Sequence, residues 1–167
     1  ESIISDFIKI CIEPVSDETT KIAWKDMHYI WKLYLQSIGM PNIIYSNKLQ
    51  SILTSQLEHT CEGGNIIFRH ITSKYLPYIS SFLSFWDKYV TITDIDKISN
   101  EDAYELDELI TMYKHCGIKY IPISEDNLIK ILNHYFPSIE IDDNKWMCNI
   151  KCSIWTKTID IDDFLLH

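Results

Sequence analysis

The chain has 167 residues and a formal net charge of −9; 46% of its residues are hydrophobic, and only 4 are glycine and 5 proline. This composition argues against a disordered chain and predicts one domain, or two small ones, with an apolar core. No run of about 18 or more apolar residues occurs, and the start ESIISDFIKICIEP has no signal-peptide pattern, so neither a transmembrane helix nor a leader is predicted.

Apolar spacing predicts three helices and a strand in the first part of the chain. The first helix covers residues 2–12. The second lies within residues 17–39, and the third covers residues 46–58 with Ser46 as its N-cap. A turn at residues 62–65 then leads into a strand over residues 66–72. The inward stripe of the second helix is formed by Ala23, Trp24, Met27, Ile30, Trp31, Tyr34, Leu35 and Ile38.

The rest of the chain predicts three more helices and a hairpin. A helix over residues 73–90 tolerates Pro77 because proline lacks the N–H that the first helical turn does not use. The polar, acidic bridge at residues 92–101 is the predicted domain boundary. Two helices follow, over residues 103–117 and, with Ser124 as N-cap, residues 124–136.

Both halves of the chain have the order helix, connection, helix, β-structure. This is the order of a helix-turn-helix followed by a β-hairpin wing. The sequence therefore predicts a mainly α fold with small β-hairpins, made of two winged-helix-like units packed together. The predicted units are residues 1–91 and 102–167, joined by the acidic linker 92–101.

Residues 138–155 read SIEIDDNKWMCNIKCSIW and contain Cys148 and Cys152. The alternation of one strand puts both cysteines on an apolar face, about 13 Å apart at roughly 3.3 Å per residue. That separation is too long for one zinc ion or for a disulfide. We therefore interpret the cysteines as buried structural residues, with the hairpin tip at Asp143–Asn144. An odd total of 5 cysteines further predicts reduced thiols.

No motif of catalysis or cofactor binding is found. The chain has no phosphate-binding glycine loop, no nucleophile elbow and no calcium-binding loop. The acidic clusters 142–143 and 160–163 are explained by a turn and a solvated tail. We therefore predict that the chain has no enzymatic activity of its own and needs no cofactor or metal.

The basic residues are concentrated in the middle of the chain. Residues 20–90 carry seven bases and four acids, whereas residues 91–167 carry seven bases and fifteen acids. Because phosphate contacts need basic side chains, DNA contacts are expected in the middle block and protein contacts in the acidic one. The competing interpretation is a solvated polar face, since the chain has a single arginine for base contacts. The candidate nucleic-acid-binding residues are Lys48, Gln50, Ser51, Thr54, Arg69, His70 and Lys74.

Several segments resemble a family of viral replication proteins. These are WKDMHYIWKLYL and PNIIY within residues 24–45, TSKYLP and FLSFW within residues 72–86, and IKCSIWTK at residues 150–157. They are similar to a region of the poxvirus-type primase–helicases of nucleocytoplasmic large DNA viruses, especially the mimivirus-like branch. Abundant Ile, Lys and Asn with scarce Ala and Arg indicate an AT-rich genome, that of a giant DNA virus, a protozoan or a small bacterium, and so agree with the resemblance.

This resemblance implies a non-enzymatic accessory region, C-terminal to the helicase core, that contributes DNA binding or partner binding. It further implies weak DNA contacts, other replication proteins as partners, no membrane contact, and oligomerisation through the parent protein. The implied location is the host cytoplasm or viral factory. The alternative is a pure protein–protein interaction domain of a viral replication or transcription complex, which an exposed patch including Trp155 or Tyr120 would favour. A metal-binding or nuclease domain is a third class, which stoichiometric zinc would reveal.

Overall fold

The computed structural model describes residues 2–93 and 103–155. These residues form a mixed α/β structure with six helices and small antiparallel sheets. The chain divides into two compact units, Glu1–Pro77 and Tyr78–His167. This division precedes the boundary expected at residues 92–101, most of which lie outside the described residues. The acidic cluster at residues 160–163 also lies outside them.

The first unit contains three helices and five short strands. In chain order they are α1 (Ile3–Cys11), β1 (Glu13–Pro14), β2 (Lys21–Ala23), α2 (Trp24–Ser37), α3 (Ser46–Gln56), β3 (His59–Glu62), β4 (Asn65–Arg69) and β5 (Ile71–Thr72).

A three-stranded antiparallel sheet closes the first unit. Its strand order is β2-β4-β3, and Gly63 and Gly64, both at positive φ, turn the chain between β3 and β4. Ile22 of β2 lies opposite Phe68 of β4, and these side chains are 1% and 0% exposed. Strand β2 leads directly into α2, so the sheet fixes the position at which the helix pair α2–α3 begins. A separate pairing joins β1 to β5.

The structure corrects two helix starts predicted in this unit. Residues 21–23 pair with β4, so α2 begins at Trp24 and Ala23 belongs to a strand. Ser46 is the first residue of α3, whereas the N-cap position is taken by Tyr45. Ile38 lies beyond the end of α2 and is exposed instead of completing the inward stripe.

The core of the first unit lies between its helices and the sheet. Phe7 of α1 meets Trp31 of α2 edge to face, with ring centroids 5.2 Å apart. Leu49 and Leu53 of α3 are fully buried. Burial of large side chains at this scale is the main force that stabilises such a unit.

The second unit begins within the fourth helix and contains four more short strands. Its elements are α4 (Leu76–Tyr89), β6 (Val90–Ile92), β7 (Tyr104–Glu105), α5 (Leu106–His115), α6 (Glu125–Tyr135), β8 (Trp146–Met147) and β9 (Ile150–Cys152).

The strand pairing of the second unit follows the same scheme as that of the first. Strand β7 leads directly into α5 and pairs antiparallel with β8, so that Tyr104 lies opposite Met147. Met147 also bridges to Ile141 across the turn that precedes β8. In both units, therefore, the strand that precedes the helix pair pairs with a strand that follows it, β4 in the first unit and β8 in the second. An additional pairing joins β6 to β9.

The single strand predicted over residues 146–155 is wrong. It is broken at residues 148–149 into β8 and β9, which belong to different sheets. At the break, Asn149 is 2% exposed and its side chain binds the main chain on both sides of Ile139. Its amide donates to Ser138 O at 2.9 Å and its carbonyl accepts from Glu140 N at 3.3 Å. The main-chain carbonyl of Asn149 in turn accepts a hydrogen bond from Thr93 N at 2.7 Å. The predicted turn at Asp143–Asn144 is present.

No helix within residues 2–93 and 103–155 combines the length and hydrophobicity that crossing a lipid bilayer requires.

Replacing Asn149 with alanine should destabilise the second unit. The substitution removes two hydrogen bonds from a buried amide, so the free energy of unfolding should fall by about 1–3 kcal/mol. Urea denaturation of the full chain, followed by tryptophan fluorescence, measures the change. Asn133→Ala, at an exposed position on α6, is the matched control and should shift stability by less than about 0.5 kcal/mol. Equal effects of the two substitutions would contradict the bridging role of Asn149.

Candidate nucleic-acid interface

Four of the seven candidate residues lie on α3. Lys48 and Ser51 are exposed on the side away from the buried Leu49 and Leu53, and Gln50 and Thr54 are partly buried. The hydroxyl of Thr54 donates to main-chain oxygens of its own helix, at 2.9 Å to Gln50 O and 3.0 Å to Ser51 O. This face therefore offers an ammonium, an amide and a hydroxyl as donors, while Thr54 can only accept.

Two further candidates, Arg69 and His70, are paired with carboxylates of the same sheet region. The guanidinium of Arg69 donates to Thr60 Oγ1 at 3.1 Å and forms an ion pair with Glu62. Nδ1 of His70 lies 3.1 Å from a carboxylate oxygen of Glu58. A phosphate would have to compete with these carboxylates, so the hairpin contributes less positive field than its sequence indicates.

The seventh candidate, Lys74, lies beyond β5 and is exposed. Its ammonium is 5.2 Å from the centre of the Tyr75 ring, within the range of a cation–π contact. The structure thus groups the α3 residues with one another and Arg69 with His70, and leaves Lys74 on a separate segment of the first unit.

A cationic face on α2 was missed in the sequence. Lys25, His28 and Lys32 are spaced i, i+3 and i+7, which puts them on one side of the helix. His28 stacks on Trp24, with ring centroids 5.2 Å apart and planes 8° from parallel. The i, i+3, i+7 spacing of these three residues is the signal in the sequence that could have found this face.

This face borders a cleft of about 510 Å³. His28 and Lys32 line one side of the cleft, and residues 42–46 of the α2–α3 connection line the other. Burial, together with the charge of Lys32, lowers the pKa of His28 from 6.5 to about 4. Burial and the charge of Lys25 likewise lower the pKa of Lys32. Near neutral pH the positive charge of this wall therefore comes from Lys32, while His28 is a neutral ring that an anion nearby would help to protonate.

The α2–α3 connection, residues 38–45, also carries exposed apolar side chains. Ile43 is 65% exposed and Tyr45 is 83% exposed, the latter at the mouth of the cleft. Ile38 and Met40 are exposed as well. By contrast, Trp155, considered above as an exposed aromatic, is buried and its carbonyl accepts a 2.6 Å hydrogen bond from Tyr104 OH.

The cysteines are free thiols in different environments. Cys152 is buried, and burial raises its pKa, whereas Cys148 is half-buried and Cys61 is exposed. Asp142 accepts a 2.8 Å hydrogen bond from Trp146 N and so stabilises the turn before β8. Within the described part of the chain, no three His, Cys, Asp or Glu side chains are grouped so that they could hold a metal ion.

Comparison with known proteins gives no relative from which a function could be transferred. Neither a protein-family model, nor a curated protein, nor a solved structure shows significant similarity to this chain.

The titration of His28 tests the electrostatics of the cleft. Its ring should titrate with a pKa of about 4, and Lys32→Gln should raise this pKa because a repelling charge is removed. The pKa should stay below 6.5, since burial is the larger cause. NMR titration of the histidine ring resonances in the full chain measures both values, and Lys48→Gln is the control that should leave His28 unchanged.

The same shift fixes the sign of a pH effect on stability. The unfolded histidine binds its proton near pH 6.5 but the folded one only near 4, so stability falls on acidification between these values. An unshifted His28 pKa, or no response to Lys32→Gln, would contradict the described surroundings.

Proposed function

We propose that the first unit is a winged-helix-like module that binds DNA weakly and belongs to a non-enzymatic accessory region of a viral primase–helicase. The observation that carries the proposal is the element order: helix pair α2–α3, then hairpin β3–β4, with β2 completing the sheet in the order β2-β4-β3. In helix-turn-helix proteins the second helix of such a pair enters a groove of DNA. Here that helix is α3, which presents Lys48 and Ser51.

The charges of the helix pair support this assignment. Between Trp24 and Gln56 the charged residues are Lys25, Lys32 and Lys48 against Asp26 alone. The corresponding pair in the second unit, from Leu106 to Tyr135, has three bases against four acids, and α6 begins with Glu125 and Asp126. Phosphate is attracted to the first helix pair and repelled at the start of α6, so DNA is assigned to the first unit and partner proteins to the second.

The parent protein is proposed from the sequence resemblance alone. This resemblance implies that the parent protein is a DNA-replication primase–helicase of a giant virus. Such a protein would act in the host cytoplasm or viral factory with other replication proteins. No catalytic group is assigned to this chain.

A pure protein–protein interaction domain is the second candidate. It is favoured by the exposed apolar side chains of the α2–α3 connection, among them Ile43. Exposed apolar side chains that are close together are typical of interaction sites. In this case the DNA-facing lysines would have no effect on partner binding.

Lys48→Gln in the full chain should weaken DNA binding and reduce its salt dependence. Loss of one phosphate contact should lower the slope of log affinity against log salt by about 0.9 for duplex DNA or about 0.7 for a single strand. Fluorescence anisotropy at several salt concentrations measures this slope. Lys9→Gln, an exposed lysine on α1, makes the same charge change away from the helix pair and should leave the slope unchanged.

The proposal fails if the full chain does not bind DNA at low salt. It also fails if Lys48→Gln and Lys9→Gln reduce affinity equally, because the effect would then reflect net charge and not a site on α3.

A further inference from the structure

We propose that the cleft beside α2 holds one nucleotide unit of single-stranded DNA, with its phosphate at His28 and Lys32 and its base against Tyr45. The inference rests on the proposed function and adds to it a second contact and a preference for unpaired bases. Neither Lys48 nor the hairpin is needed for it.

The wall on α2 suits a phosphate. Two cationic or protonatable side chains, His28 and Lys32, line the same side of the cleft, and Lys25 acts on Lys32 through its charge. An anion between them reduces the mutual repulsion of these groups. It also raises the pKa of His28 and thereby recruits a further positive charge.

The opposite wall suits a base. It consists of residues 42–46, in which apolar and aromatic side chains lie beside the amide of Asn42 and the hydroxyl of Ser46. Tyr45 is 83% exposed, so its ring is accessible for stacking. Proteins bind single strands in the same way, combining basic residues along the backbone with aromatic side chains on which bases stack.

The size of the cleft agrees with this occupant. Its volume of about 510 Å³ is within the range of roughly 300–1,000 Å³ that is usual for sites of small ligands. A bare phosphate would leave the apolar wall uncovered, and an apolar peptide would bring no anion to His28 and Lys32. A nucleotide satisfies both walls. A paired base cannot do so, because its face is covered by its neighbours in the duplex.

Matched oligonucleotides and variants of the full chain separate the two contacts. The probes are a short oligothymidylate and an abasic strand of the same length, which keeps the phosphates but lacks the bases. The wild-type chain should bind oligothymidylate more tightly. Tyr45→Ala should remove that preference, with a loss of about 5-fold or more for oligothymidylate and little change for the abasic strand.

Lys32→Gln should instead weaken both strands and lower the salt slope by about 0.7. Ile10→Ala and Lys9→Gln, at exposed positions on α1, are the matched controls and should behave as wild type. Thermal unfolding of each variant checks that the fold is retained. The side chain of Tyr45 makes no capping hydrogen bond to α3, so its removal leaves the helix intact.

The outcomes distinguish this inference from the proposed function. If Lys48→Gln weakens DNA binding while Tyr45→Ala and Lys32→Gln do not, the cleft is overturned and the α3 contact survives. If the wild-type chain binds neither of these strands nor duplex DNA at low salt, the DNA-binding function fails. A titration with thymidine 5′-monophosphate then tests the nucleotide site in the cleft independently. A shift of the His28 ring resonances that Lys32→Gln reduces supports this site, and the absence of a shift overturns it.

Discussion

Each unit is held together by antiparallel pairing between the strand that precedes its helix pair and a strand that follows the pair. In the first unit Ile22 of β2 lies opposite Phe68 of β4, and in the second Tyr104 of β7 lies opposite Met147 of β8; all four are buried. An isolated two-stranded hairpin is only marginally stable in water. In the first unit β2 adds a third strand to the hairpin β3–β4, and in the second β7 pairs with β8 in a two-stranded sheet. Helices α2 and α5 each begin at the residue after β2 or β7. The orientation of each helix pair depends on these few residues.

The helices could be predicted from the sequence because their apolar spacing persists over several turns, as in α6, where Leu128, Ile131 and Leu132 are buried and Ser124 is the N-cap as expected. The strands could not all be predicted. All four residues of β3 are exposed, so its strand state comes from pairing with β4 and leaves no hydrophobic pattern. The break between β8 and β9 coincides with side-chain hydrogen bonds from Asn149 to residues 138 and 140, which no periodicity reveals.

The exposure of Lys48 could be predicted from the sequence, but the charge balance around the candidate residues could not. Lys48 lies on the exposed side of α3, where the helical pattern puts it. The charge of Arg69 is offset by Glu62, seven positions earlier in sequence, because the turn at residues 63–64 brings β3 and β4 side by side. His28 and Lys32 are candidate ligand-binding residues only because residues 42–46 lie opposite them and form a cleft. That proximity cannot be read from the sequence. In this protein, the strand pairing β3–β4 and the α2–α3 connection determine where positive charge is accessible as much as the number of basic residues does.

The most direct test of this account is a map of the amide resonances of the full chain, in a ¹⁵N–¹H NMR titration with a short oligothymidylate at low salt. The account predicts shifts in α2 around Lys25–Lys32, in residues 42–46 and on the exposed side of α3. The amides of α6 should not move. Shifts centred on α6 or elsewhere in the second unit, or the absence of any shift at saturating oligonucleotide, would contradict it.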